Sequence, residues 1–187
     1  MPQLRKEKLK STIHSSEEIY KGRQFSFYKE QVTLPHNVDA EMAFVRHPGS
    51  AAIVPLFEDQ TIGVIKQFRH PINDTVYEIP AGTIDPGESP LQCARRELEE
   101  ETGYIASEFI TLGKTYLLPA YSDEISYIYL SKNMTRTAQS LDEDEIIEVH
   151  RFHLQDTLEM IDAGIMSDAL SILAILRVTR YLGFKRK

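Results

Sequence analysis

The chain has 187 residues, a length that fits about one domain, and its 42% hydrophobic and 26% charged residues favour a folded core over disorder. A formal charge of −7 excludes a general attraction to nucleic acid or to an anionic membrane surface, and no apolar run is long enough to span a bilayer. The single cysteine excludes an intrachain disulfide and a multi-cysteine zinc site. We therefore expect a cytoplasmic protein without a secretory signal.

Strand-like segments follow a basic N-terminal stretch. Residues 1–18, with their cluster of Arg5, Lys6, Lys8 and Lys10, predict a solvated arm. Runs rich in apolar and β-branched residues then predict strands over Gln24–Leu34, Ser50–Phe57, Thr61–Phe68, Val76–Ile79, Phe109–Leu118, Glu124–Ser131 and Ile146–Phe152. The short polar turn between the second and the third of these runs predicts a β-hairpin.

Helices are predicted where capping residues bracket an apolar period. Ser89 and Gln92 form a capping box, and Gly103 suits the left-handed position that ends a helix, so a helix is predicted between them. Two more helices are predicted over Gln155–Ala163 and Asp168–Leu182, and each of them stops at a glycine. Strands and helices in mixed order favour an α/β (α+β) sandwich.

Glutamates share one side of the first predicted helix. At about 100° per residue, Glu97, Glu100 and Glu101 fall within roughly 100° of arc, and Glu97 and Glu101 are neighbours one turn apart. Like charges at this spacing repel, and they raise one another's pKa unless a counter-charge is present. The face is either solvated or a site for Mg²⁺, which prefers oxygen ligands. The preceding turn favours a metal site, because it can bring the carbonyls of Ala81 and Gly82 alongside.

The segment Gly82–Tyr104 resembles the Nudix box of the Nudix hydrolase family. The fixed positions of the box fall on Gly82, Glu88, Arg96, Glu97, Leu98, Glu100, Glu101 and Gly103, while Tyr104 replaces the usual aliphatic residue at the last position. The resemblance implies the Nudix fold, a mixed β-sheet packed between helices. It also implies metal-dependent hydrolysis of a nucleoside diphosphate linked to another group. The expected domains are a dimer-forming N-terminal antiparallel strand region at 1–48 and a hydrolase domain at 49–187.

Residues on both sides of the box are similar to the ADP-ribose pyrophosphatase branch of this family. They are Gln67–Arg69 and Tyr77–Gly82 before the box, and Pro119 fifteen positions after it. The resemblance implies a homodimer that hydrolyses ADP-ribose to AMP and ribose 5-phosphate with Mg²⁺, for which Mn²⁺ can substitute. One alternative is another nucleoside diphosphate sugar as substrate. Another is a non-catalytic, nucleotide-sensing Nudix domain, against which the intact box glutamates argue.

Metal-binding roles follow for the glutamates of the box. The resemblance implies that Glu97 and Glu101, together with the main-chain carbonyl of Ala81, hold the principal Mg²⁺, an ion that binds oxygen ligands in octahedral geometry. Glu100 is expected to help hold a second ion and so to take part in catalysis. Arg96 is expected to orient the glutamates, since Glu100 lies one helical turn away from it.

The catalytic base is expected in the acidic segment Asp142–Glu145. Alone, this segment is typical of a solvated loop. In the resembled branch a mobile loop at this place supplies a glutamate as the base, and the Glu-Ile-Ile-Glu-Val pattern favours Glu145 for that role, with Glu143 as the second choice. His150 and His153 are alternative candidates for the base, because an imidazole can accept a proton near neutral pH. They alternate with apolar residues along a predicted strand, which favours structural positions for both.

Substrate-binding roles are expected for four residues. Arg69 is the candidate for the diphosphate because a guanidinium group matches pairs of phosphate oxygens, although a surface charge at a strand end gives the same sequence. Glu78 is expected to hold Arg69 or a substrate hydroxyl, with a structural salt bridge as an equal alternative. Pro119 marks either a substrate contact or an ordinary turn. Phe25 is expected either to stack on adenine or to pack in the core.

Overall fold

The computed structural model describes residues 9–184, so Arg5, Lys6 and Lys8 of the predicted arm lie outside the described residues. The described chain divides into two compact units. The first unit contains residues 9–47 and Leu118–Glu124, and the second contains Pro48–Leu117 and residues 125–184. Between residues 9 and 184, no helix combines the length and the apolar character needed to cross a bilayer.

The first unit is built on an antiparallel sheet of three strands, β1 (Thr12–Lys21), β2 (Ser26–Leu34) and β3 (Val38–Arg46), which lie in that order. Only β2 was predicted. A solvated arm through residue 18 is wrong, because β1 pairs with β2 through its main chain although all its side chains are exposed. Exposed strands held by main-chain pairing need no apolar alternation, which is why β1 and β3 left no signal in the sequence.

The second unit contains two sheets. One is a mixed sheet of β4 (Ser50–Pro55), β7 (Ala81–Thr83), β8 (Tyr104–Tyr116) and β9 (Ile125–Arg136), in the order β7-β4-β9-β8. The other is an antiparallel sheet of β5 (Thr61–Arg69), β6 (Asp74–Glu78) and β10 (Ile147–His153), in the order β10-β5-β6. Strand β8 starts five positions before the predicted Phe109, so the helix that precedes it leads directly into the sheet.

The predicted hairpin between Ser50–Phe57 and Thr61–Phe68 is wrong. Leu56 and Ile62 form an isolated bridge, and beyond it the two strands enter different sheets. Strand β4 instead pairs parallel to β9 and antiparallel to β7. All of its residues are buried, and a continuous apolar run suits an interior strand with a neighbour on each side.

Helices cover both faces of the mixed sheet, as predicted. They are α1 (Pro90–Thr102), α2 (Leu154–Asp162) and α3 (Ala169–Tyr181), with ends within a residue of those predicted. Ala51 and Ile53 on one face of β4 pack with Leu98 of α1, whereas Ala52 and Val54 on the other face join the core formed with α2 and α3. Because β4 is fixed from both sides, its neighbour β7 and helix α1 are held in a set position.

A buried serine ties α3 to the segment between β6 and β7. The Ser171 hydroxyl accepts a hydrogen bond from the Ile79 N–H at 2.9 Å and donates one to Asp168 Oδ2 at 2.6 Å. Ser171 and Ile79 are 92 positions apart in the sequence, and both are buried. The serine therefore satisfies a main-chain donor two residues before β7.

Replacing Ser171 with alanine should lower the free energy of unfolding by about 1–3 kcal/mol, because the buried Ile79 N–H loses its partner. Ser131→Ala is the matched control. Both serines are fully buried at 0% exposure, but the Ser131 hydroxyl has no partner among residues 9–184, so its removal should cost much less. Urea unfolding of both variants checks this, and equal losses would contradict it.

Candidate active site

Helix α1 carries most of the candidate site, and both of its ends are fixed by local hydrogen bonds. Gln92 N–H donates to Ser89 Oγ at 3.3 Å, and Ser89 N–H donates to Gln92 Oε1 at 2.9 Å, which is the predicted capping box. Gly103 ends the helix with a φ of 68°, in the left-handed region that favours glycine. The caps fix the helical register, and with it the face on which the glutamates lie.

Glu97 and Glu101 are buried together on this face, with 7% and 2% of their surfaces exposed. Burial raises the pKa of Glu97 to about 7, with Arg96 opposing the shift and the charges of Glu100 and Glu145 adding to it. Burial, followed by the charge of Glu97, raises the pKa of Glu101 well above its ordinary value. Without a cation, both carboxyl groups therefore hold protons more tightly than glutamates in water.

The Arg96 guanidinium binds three glutamates of the box. It donates to both carboxylate oxygens of Glu88 at 3.0 Å, to Glu97 Oε1 at 2.5 Å and to Glu100 Oε2 at 3.0 Å. It also donates to the main-chain carbonyl of Thr83 at 3.0 Å. The pairing with Glu88 was not foreseen from the sequence. The position of Glu88 in the box was its only signal.

Strand β7, which precedes α1, lies against the buried carboxylates. Ala81 N–H donates to Glu101 Oε2 at 2.9 Å. A Cβ at Gly82 would lie 1.8 Å from Glu97 Oε1, so a larger residue here would displace the Glu97 carboxylate. The buried thiol of Cys93 lies 3.4 Å from the Gly82 carbonyl, and burial raises its pKa to about 12. Cys93 is thus a packed thiol rather than a nucleophile.

Arg69 and Glu78 form a two-pronged ion pair on the strands β5 and β6. Arg69 Nε donates to both carboxylate oxygens of Glu78, at 3.2 and 3.1 Å, and Arg69 Nη2 donates to Oε2 at 2.7 Å. Burial raises the pKa of Glu78, against the effect of Arg69. Burial opposes the charge of Arg69, but the hydrogen bond with Glu78 and the charges of Glu101 and Asp168 raise its pKa. The charges of Arg69 and Glu101 therefore act on each other.

Glu145 lies in a tight turn and is half-buried. Its N–H donates to the Asp142 carbonyl at 3.1 Å, and its Oε2 accepts a hydrogen bond from the Asp142 N–H at 3.0 Å. After burial, its charge is among the causes that raise the pKa of both Glu97 and Glu101. Glu143 is exposed.

The remaining candidates belong to other segments of the chain. Phe25 and Pro119 belong to the first unit, whereas the glutamates and arginines described above belong to the second. Phe25 is 45% exposed, so the alternative that it packs in the core is wrong. Pro119 lies in an exposed turn. On β10, the His150 ring packs 5.8 Å from the Tyr77 ring, and His153 is the residue that precedes α2.

The donor set of the site fits a hard divalent cation. Glu97 and Glu101 offer carboxylate oxygens, and the main chain of β7, which contains Ala81 and Gly82, lies beside them. Across residues 9–184, no three His, Cys, Asp or Glu side chains come together closely enough to hold an ion by themselves. A set of two carboxylates completed by carbonyl oxygens, water and substrate phosphates is the kind that Mg²⁺ uses.

Two residues near the site were not singled out from the sequence. The Asp168 charge acts on both Arg69 and Glu78, although the sequence indicated only the start of a helix at this position. Gln139 donates to the Glu101 carbonyl at 2.6 Å from 38 positions away. The sequence around each residue does not indicate these interactions, because both depend on how distant segments of the chain meet.

Comparisons with known proteins show which family the chain is similar to. The sequence profile of the NUDIX domain matches residues 46–169. The chain is 36% identical to the ADP-ribose pyrophosphatase of Bacillus subtilis (strain 168) over 163 residues, which cover 86% of this chain and 88% of that protein. It is 33% identical to the methanol dehydrogenase activator of Bacillus methanolicus over 162 residues, again 86% of this chain and 88% of that protein.

The fold is also shared with a solved structure. The crystal structure of an ADP compounds hydrolase superimposes with a TM-score of 0.81 over 95% of this chain and 97% of the other, at 23% sequence identity. Identity at this level shows the fold alone. The profile match and the identity over most of the B. subtilis protein show the family. The chain belongs to the Nudix hydrolase family.

Proposed function

We propose that the chain hydrolyses the diphosphate bond of ADP-ribose, with water, to AMP and ribose 5-phosphate. The observation that carries the proposal is the buried pair of carboxylates, Glu97 and Glu101, beside Ala81 and Gly82 of β7. Such a pair binds the cations that a diphosphate also binds. The name of the B. subtilis relative, ADP-ribose pyrophosphatase, supports this choice of substrate.

The residues of the site fit Mg²⁺. Nudix hydrolases in general depend on divalent cations. In our proposal Glu97, Glu101 and the Ala81 carbonyl would hold Mg²⁺, or Mn²⁺ in its place, and Glu100 would help to hold a second ion. When bound, such ions neutralise phosphate oxygens and lower the pKa of water. Their local positive charge would allow a chain with a formal charge of −7 to bind a polyanion.

The chain's own side chains have separate roles in the proposal. Arg96 holds the glutamates in place through the contacts described above. Arg69 exchanges part of its contact with Glu78 for diphosphate oxygens, which leaves Glu78 able to accept a substrate hydroxyl. Glu145 takes the proton of the attacking water. The water oxygen bonds to phosphorus while the bridging P–O bond breaks, a displacement that depends mainly on positioning.

Assembly and compartment are also part of the proposal. We propose a cytoplasmic homodimer with a strand region at 1–48 and a hydrolase domain at 49–187, in which Phe25 and Pro119 contact the nucleotide. The exposure of Phe25 and the exposed strand β1 support a role at an interface. The one cysteine, a buried free thiol, supports a reducing compartment. Sedimentation at the 21.4 kDa mass of a single chain would contradict the dimer.

The substrate is tested with ADP-ribose and other nucleoside diphosphate sugars, each assayed with and without Mg²⁺ and with identification of the products. We expect turnover only with Mg²⁺, the highest kcat/KM for ADP-ribose, and AMP and ribose 5-phosphate in equal amounts. If another nucleoside diphosphate sugar is preferred, the proposed reaction would stand but the proposed substrate would be wrong. Absence of hydrolysis across the panel would contradict the proposal.

Matched variants of α1 serve as controls in the same assay. Mutation of a residue that hydrogen-bonds to a metal ligand typically lowers metal affinity or activity about 10- to 100-fold. Loss of a direct ligand in Glu97→Gln should therefore lower kcat by more than that. Glu99→Gln removes the same charge from the same helix. Its side chain accepts from Thr137 Oγ1 at 3.3 Å, which an amide oxygen can also do, so this variant should keep normal turnover.

The base is tested by comparing Glu145→Gln with Glu143→Gln. A general base accelerates a reaction by about 100- to 10,000-fold, so Glu145→Gln should lower kcat by a factor in that range. Its half-saturating Mg²⁺ concentration should change little, since the residue is not placed among the ligands. Exposed Glu143 should be dispensable. The reverse result, with loss of turnover in Glu143→Gln alone, would assign the base to Glu143.

A further inference from the structure

The segment Thr137–Ser140 follows β9 and passes the end of helix α1. Thr137 N–H donates to the Gly103 carbonyl at 2.8 Å, and Ser140 N–H donates to the Glu100 carbonyl at 3.0 Å. Between them, the Gln139 side chain donates from Nε2 to the Glu101 carbonyl at 2.6 Å. The last carbonyls of a helix have no partner within it, and here the segment supplies partners. We call this segment the α1 tether.

The α1 tether approaches the helix end closely. A Cβ added at Gly103 would lie 3.1 Å from the Gln139 main-chain nitrogen and 3.4 Å from the Thr137 carbonyl oxygen. Gly103 therefore serves two purposes, since it also adopts the left-handed conformation that ends α1. Two of the three carbonyls in the contact belong to Glu100 and Glu101, whose side chains lie on the candidate metal-binding face.

The α1 tether leads directly into the turn that carries Glu145. Leu141 separates the tether from Asp142, which begins this turn. On the other side of the turn, the Ile146 carbonyl accepts a hydrogen bond from the Phe68 N–H at 3.2 Å, and β10 then pairs with β5. The turn is thus fixed at one end to the helix of the glutamates. Its other end is fixed to the strand that carries Arg69.

Gln139 is the residue of the α1 tether whose side chain binds a helix carbonyl. The contacts of Thr137 and Ser140 with the helix carbonyls come from the main chain and tolerate most substitutions, whereas that of Gln139 needs a carboxamide. Gln139 is exposed, so it adds little to the core. Its removal should therefore free the turn locally while leaving the stability of the whole domain unchanged.

We propose that Gln139 is a positioning residue that holds Glu145 at the glutamates of α1. The inference rests on the proposed function, in which Glu145 takes the proton of the attacking water. A misplacement of about 1 Å can cost about 100-fold in rate, so the loss of one anchor three positions before Asp142 is enough to matter. Gln139 acts through Glu145 and does not touch the substrate.

The first test measures the turn itself and is independent of activity. In Gln139→Ala, amide hydrogen exchange at Asp142 and Glu145 should become about 3- to 10-fold faster, the range expected for the loss of one hydrogen bond. Ser140→Ala, which keeps its main-chain bond to Glu100, should exchange like the unaltered protein. Both variants should unfold at the same temperature. Unchanged exchange in Gln139→Ala would overturn the proposal.

The second test uses a double-mutant cycle on the substrate that the panel identifies. Gln139→Ala should lower kcat about 10-fold, with KM and the Mg²⁺ dependence nearly unchanged. In a Glu145→Gln background the same substitution should have no further effect, because the residue through which it acts is gone. An equal fold-loss of kcat in both backgrounds would overturn the role of Gln139, while the proposed hydrolytic function would still stand. An unaltered protein that is inactive on every substrate would instead count against the proposed function.

Discussion

The structure depends on the burial of two like charges one helical turn apart. Exposed like charges at this spacing cost a few tenths of a kcal/mol, but Glu97 and Glu101 are 7% and 2% exposed, and burial removes the water that would screen them. A proton or a bound cation therefore stabilises such a pair. Burial raises the pKa of both groups, which favours their protonated forms, and we propose that catalysis uses the pair with a cation bound.

The surrounding fold holds these carboxylates in place although they repel each other. Strand β4 is buried on both faces and fixes α1 on one side and the neighbouring β7 on the other. Gly82 on β7 leaves room for the Glu97 carboxylate, and Ala81 gives Glu101 a main-chain donor. Arg96 supplies a partial counter-charge from the same helix. Each of these features lowers the cost of burying the pair.

Features set by short spacing could be predicted from the sequence. The glutamates, the capping box and Gly103 all lie within one helix, where about 100° per residue converts spacing into a shared face. Features set by pairing between distant segments could not. The apolar run of β4 predicts a strand but not its neighbours, and it was wrongly joined to β5. Gln139 had no sequence signal at all, because its partner is a main-chain carbonyl 38 positions away.

The carboxylates should give up protons when the cation binds. Calorimetric titration with Mg²⁺ at pH 7, in two buffers of different ionisation enthalpy, measures this release directly. With a pKa of about 7, Glu97 alone should release roughly half a proton per ion, and Glu101 should add to it. Glu97→Gln should release fewer protons, and Glu99→Gln should match the unaltered protein. Binding without proton release, or equal release from the Glu97→Gln variant, would contradict the account.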